Sequence, residues 1–105
     1  MITHIVLLRF PDNMPGARID ELLAPFLRLP EVIPGLVAVS AGSNTSPEGL
    51  HNGYRHGLVM QFSSALDRDA YLTHPAHVRL AEPLVAALAH GVGDVAVFDL
   101  ESGDR

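Results

Sequence analysis

Thr3-His4-Ile5-Val6-Leu7-Leu8-Arg9-Phe10 decides the fold, because this run is apolar on both of its faces. Side chains alternate along a strand, so His4, Val6, Leu8 and Phe10 share one side while Ile5 and Leu7 share the other. A strand of this kind needs cover on both faces. Pro11-Asp12-Asn13 then ends it as a turn.

Further along the chain, Ile19, Leu22, Leu23, Phe26 and Leu27 recur at three- and four-residue spacing, which predicts an amphipathic helix from Arg18 to Leu29. Pro25 lies inside it. Lacking an amide proton and crowding the carbonyl one turn earlier, it predicts a kink or a split. After Pro30, Pro34 and Gly35, the segment Leu36 to Gly42 reads as a second strand, followed by the polar loop Ser43-Asn44-Thr45-Ser46-Pro47-Glu48-Gly49. Tyr54 to Phe62 alternates as a third strand, with Tyr54, His56, Leu58, Met60 and Phe62 on one face.

Ser63 or Ser64 can cap a helix reaching Leu72, and Asp67 and Asp69 suit its positive end. His74 precedes a proline and so disfavours helical geometry, which ends that helix near Thr73. Pro75 suits the first position of the next helix, which carries His77, Ala81, Leu84 and Leu88 on one face. Pro83 predicts a second kink or a restart. Gly91 to Gly93 close the helical region, and Val95 to Leu100 form a last strand before the polar tail Glu101-Ser102-Gly103-Asp104-Arg105.

The order strand, helix, strand, strand, two helices, strand specifies an α+β fold. It reads as ferredoxin-like βαββααβ, with an antiparallel four-stranded sheet covered by helices on one face. Ile5, Leu7, Val59, Ala96 and Phe98 fall on the uncovered face. Burial of that patch against a second copy predicts a homodimer through the sheet face.

With 105 residues, 48% of them hydrophobic, the chain 1–105 is expected to form a single domain around one core. Zero Cys removes disulfides, thiolate metal sites and thiol nucleophiles, which fits a reducing compartment such as the cytoplasm. A net charge of -5 opposes phosphate-backbone binding and so argues against nucleic acid. Met1-Ile2-Thr3-His4 leads straight into a strand, and no apolar span suits a bilayer. The expectation is a soluble, unprocessed protein without a membrane partner.

Several motifs in order resemble the stress-responsive A/B barrel domain family. They are His4-Ile5-Val6-Leu7-Leu8-Arg9-Phe10, Ile33-Pro34-Gly35, Gly42-Ser43-Asn44-Thr45-Ser46-Pro47-Glu48, Gly53-Tyr54-Arg55-His56-Gly57-Leu58-Val59, Tyr71-Leu72-Thr73-His74-Pro75-Ala76-His77 and Val97-Phe98-Asp99. The resemblance implies a dimeric α+β barrel in which two ferredoxin-like protomers pack sheet against sheet. One plant member is a polyketide cyclase that performs an aldol condensation without a cofactor, in a pocket between sheet and helices. Its catalytic tyrosine and histidine match Tyr71 and His77, and its other pocket histidines match His4 and His56. On that pattern the pocket wall would comprise His4, Val6, Leu8, His56, Leu58, Val95 and Val97 from the sheet. Leu22 and Phe26 would join them from the first helix. Pro25 and a longer stretch between His77 and the last strand depart from the cyclase pattern.

In the first helical turn, the positive end of the helix keeps the His77 imidazole neutral and able to act as a base. Tyr71 could then hydrogen-bond a substrate carbonyl while His77 removes the adjacent proton, a cofactor-free cyclase or lyase chemistry on a small, partly apolar oxo-compound. The competing account is that the two side chains satisfy each other at a helix junction. A cofactor-free monooxygenase and a non-enzymatic stress or small-ligand-binding dimer complete the alternatives. His4 and His56 are expected to face each other across paired strands. With His77 they make three imidazoles, but the spacing is not that of a metal site, and no metal is expected. His74 reads as the junction residue, His51 and His90 as solvated, and Asp99 as a strand-end group satisfying backbone or loop donors.

Overall fold

The computed structural model describes residues 1–102; Gly103, Asp104 and Arg105, the end of the expected polar tail, lie outside the described residues. Four strands form one antiparallel sheet: β1 (Ile2–Leu8), β2 (Leu36–Ser43), β3 (His56–Phe62) and β4 (Val95–Glu101), in the spatial order β2-β3-β1-β4. Between them run α1 (Gly16–Leu23), a 3₁₀ helix (Ala24–Glu31), α2 (Ala65–Leu72), α3 (Pro75–Ala86) and a short 3₁₀ turn (Gly91–Asp94). This is the ferredoxin-like α+β arrangement that the alternation of the strands and helices specifies.

Local chemistry explains where the elements depart from expectation. The first helix is divided where Pro25 removes an amide donor: α1 stops at Leu23, and the chain tightens into the 3₁₀ helix. Pro83 behaves differently, because α3 carries through it to Ala86. The Ala87 amide bonds the Pro83 and Leu84 carbonyls at 3.1 Å, and Leu84 and Leu88 are anchored in the core, so the last turn holds without a restart. β1 ends at Leu8, two residues early, and the next residue, Arg9, bonds through its amide to the carbonyl of Asp94 in the 3₁₀ turn at 2.9 Å. β3 starts at His56 because the Tyr54 amide closes a turn onto the His51 carbonyl at 2.9 Å.

The helices cover one sheet face. Phe26, Tyr71, Leu8, Leu58, Met60 and Phe62 are its most deeply buried large side chains. On the opposite face Leu7, Val59, Phe98 and Leu100 are exposed, so β1 is covered on one side only within the chain. No helix among the described residues is long and apolar enough to cross a membrane.

Candidate active site

The sheet register builds one wall of a cavity under the helices. His4 pairs with Met60 on β3 and Asp99 on β4, and Val6 pairs with Leu58 and Val97, so these side chains share the covered face. The cavity holds about 210 Å³. Its floor is His4, Val6, Leu8, Leu58, Met60, Val95 and Val97 from the strands; its roof is Phe26 from the 3₁₀ helix, Tyr71 and Leu72 from α2, and His77, Ala81, Leu84 and Val85 from α3.

Tyr71 and His77 meet because of how α2 passes into α3. The Ser64 hydroxyl accepts from the Asp67 amide at 3.1 Å and starts α2, which runs to Leu72. His74, ahead of Pro75, is extended at φ -66° and ψ 132°, and its Nδ1 accepts from the Ala76 amide at 3.0 Å, so a histidine caps α3. The chain therefore turns sharply and returns His77 over Tyr71. Their ring centroids stand 4.1 Å apart with planes tilted by 36°.

Hydrogen bonding then assigns the nitrogens. His77 Nδ1 lies 3.2 Å from the Leu72 carbonyl, which can only accept, so Nδ1 carries a proton and, in the neutral ring, Nε2 keeps a lone pair. The His77 pKa is lowered, chiefly by burial; the Leu72 bond opposes this, while His4 and His74 act in the same sense as burial. Burial pushes the Tyr71 phenol well above its ordinary value, so it stays protonated. Thus the junction presents a neutral base beside a phenol donor.

Asp99 does not act as the strand-end group expected to satisfy backbone or loop donors. Instead it enters the covered face: its Oδ1 is 2.6 Å from His4 Nδ1, and its Oδ2 accepts from Arg68 on α2. Strand alternation from Val95 through Val97 would have found it, given the β1–β4 register. Arg68, which also bonds Asp69 at 2.8 Å, carries no comparable signal in the sequence.

Two residues expected in the wall lie elsewhere. Leu22 is buried in the core without reaching the cavity. His56 does not face His4, because the register places it opposite Leu8, four residues along the strand and about 13 Å away. There it stacks edge-on to Phe10 with centroids 5.5 Å apart, its Nδ1 buried without a hydrogen-bond partner, and adjoins wider clefts beside α1. The three imidazoles consequently do not converge, and no metal-binding cluster of three His, Cys, Asp or Glu side chains occurs among the described residues. His90 is exposed, bonding Asp94 at 3.1 Å, and His51 Nδ1 accepts from the Gly53 amide at 2.9 Å.

A family model described as the Stress responsive A/B Barrel Domain matches residues 2–102. The stress-response A/B barrel domain-containing protein HS1 of Arabidopsis thaliana is 32% identical over 87 residues, covering 83% of this chain and 80% of that protein. Olivetolic acid cyclase of Cannabis sativa is 29% identical over 77 residues, or 73% of this chain and 76% of the cyclase. Among solved structures, a protein from Jannaschia sp. CCS1 described as dimeric and ferredoxin-like aligns with a TM-score of 0.86 at 32% identity, covering 96% of this chain and 98% of that one.

Proposed function

This chain belongs to the stress-responsive A/B barrel domain family, and we propose that it is a cofactor-free acid–base enzyme of the cyclase or lyase kind. Its substrate would be a small, partly apolar oxo-compound held between sheet and helices. Residues 1–105 would form a single domain, working as a homodimer through the sheet face in the cytoplasm. The observation that carries this reading is the Tyr71–His77 pair, with ring centroids 4.1 Å apart at the wall of a cavity whose remaining lining, His4 excepted, is apolar.

In this mechanism His77 Nε2 takes a proton from carbon next to a carbonyl. The C–H bonding pair becomes the enolate double bond, and the Tyr71 hydroxyl hydrogen-bonds the oxygen on which charge develops. The imidazolium then returns its proton to the product oxygen or carbon. Deuterium uptake at the α-carbon of 4-hydroxybutan-2-one, whose uncatalysed exchange is slow, followed by proton NMR without oxygen, reads the first step directly. His77→Ala and Tyr71→Phe should each slow it by about 10²- to 10³-fold with fold and assembly intact. Unchanged exchange in both variants refutes the assignment, and turnover that consumes oxygen moves it to a cofactor-free monooxygenase.

One observation favours a second reading, binding without turnover: about 210 Å³ is below the roughly 300–1,000 Å³ of ordinary ligand pockets. A saturable ligand that gains no deuterium in the wild type would support it.

A further inference from the structure

Tyr71 touches a second imidazole whose partners are at least as well defined as those of His77. The His4 ring lies 5.9 Å from the Tyr71 ring, is buried, and lines the same cavity. Its Nδ1 is 2.6 Å from Asp99 Oδ1, and the other Asp99 oxygen accepts from the Arg68 guanidinium. β1, β4 and α2 supply one residue each to this chain of contacts. A carboxylate only accepts, so the nitrogen facing it carries the proton and, in the neutral ring, His4 Nε2 holds the lone pair.

We propose that Asp99, held by Arg68, is a positioning residue that locks His4 in the Nδ1–H tautomer, making Nε2 a hydrogen-bond acceptor for a hydroxyl on the substrate. The cavity then offers one donor, the Tyr71 hydroxyl, and two acceptors, the Nε2 atoms of His4 and His77. The ligand complementary to that set carries a carbonyl, an acidic C–H and an O–H, as a β-hydroxy ketone does. This deepens the acid–base reading and rests on it for the role of His77.

Nitrogen-15 NMR of the histidine rings, recorded at the alkaline end of a pH series, tests the tautomer without any substrate. In the wild type the His4 Nδ1 should be protonated and Nε2 bare. The guanidinium of Arg68 has only donors, so in Asp99→Asn it keeps the amide oxygen and turns the amide nitrogen toward His4. Nδ1 must then accept, and the ring proton moves to Nε2. Adding Arg68→Met to Asp99→Asn frees the amide to rotate and should return the ring toward Nδ1–H, a rescue that a merely structural role would not produce. A wild-type His4 protonated on Nε2, or a tautomer indifferent to Asp99→Asn, overturns the proposal.

4-Hydroxybutan-2-one and its methyl ether, titrated by NMR, test the ligand class. The alcohol should bind about tenfold tighter than the ether in the wild type, and Asp99→Asn should abolish or invert that preference. Equal binding, or none of either, overturns the hydroxyl requirement. If His77→Ala left deuterium exchange unchanged, the catalytic reading would fail while the His4 tautomer and the hydroxyl preference stood, so the two failures are separable.

Discussion

His77 is the residue at which burial and chemistry agree. With its pKa held below the ordinary histidine value of about 6.5, the base form persists into mild acid, and the acid limb of kcat/KM for exchange should fall below pH 6.5. A group whose folded pKa is depressed binds protons less readily than in the unfolded chain. Its contribution to stability is therefore present above about pH 6.5 and lost as pH falls through the folded value. The urea midpoint of the wild type should drop more between pH 7.5 and 5.5 than that of His77→Gln; parallel drops would show that the ring is not held neutral. The reach of sequence reasoning differs between the two histidines of this site. Tyr71 and His77 are six positions apart and joined by a proline-marked turn, so local rules bring them together. The pairing of His4 with Asp99 depends on the alignment of strands at opposite ends of the chain, and that of Asp99 with Arg68 on where α2 lies over the sheet. Neither is encoded in spacing. His56 lies away from His4 for the same reason, since a shared face says nothing of distance along the strand.

The α2–α3 turn determines how firmly the site is held. Because the His74 ring caps α3 through the Ala76 amide, His74→Ala should cost about 1 kcal/mol in urea denaturation. It should also slow exchange severalfold, His77 being in the turn that loses its cap. Stability loss with an unchanged exchange rate would show that the cap serves the helix and not the site. The entry to α2 is pinned by close backbone approach. Gly35 has φ +83°, its carbonyl accepts from the Ser63 amide at 3.0 Å, and a Cβ built there would lie 2.2 Å from Asp67 Cγ. Gly35→Ala should therefore cost about 2–4 kcal/mol, from left-handed strain plus the collision with a side chain already bonded to Ser63 and Ser64. A loss below about 1 kcal/mol in the urea midpoint would mean that α2 shifts freely. These punctuating residues made the elements legible: Pro25 marks the division of the first helix, and Pro75 marks the start of α3. At Pro83 the expected restart does not occur, because the lost hydrogen bond is outweighed by packing of Leu84 and Leu88, a tertiary effect that local propensity does not contain.

At the scale of the whole molecule, the proposed dimer contact and the proposed chemistry use opposite faces of β1, so experiment can separate them. Leu7 is 38% exposed and is flanked across the sheet by Gly57 and Ala96, two residues too small to shield it, so it stands out from the face with Phe98, itself 64% exposed. A large apolar side chain projecting from a sheet is a contact for a partner, and the proposed dimer places it in the interface. Size-exclusion chromatography with light scattering should give a wild-type dimer at micromolar concentration and a monomer for Leu7→Asp, whose carboxylate would have to be buried to dimerise. A wild-type monomer would remove the sheet-face interface from the proposal. The residues that line the cavity lie on the covered face or in the helices above it, and none is on the uncovered face. If the Leu7→Asp monomer keeps its circular dichroism, it should therefore retain deuterium exchange within about threefold, since the Tyr71–His77 turn and the His4–Asp99 pair close without a partner. Exchange lost in a folded monomer would mean instead that the partner holds the sheet at the curvature these contacts require.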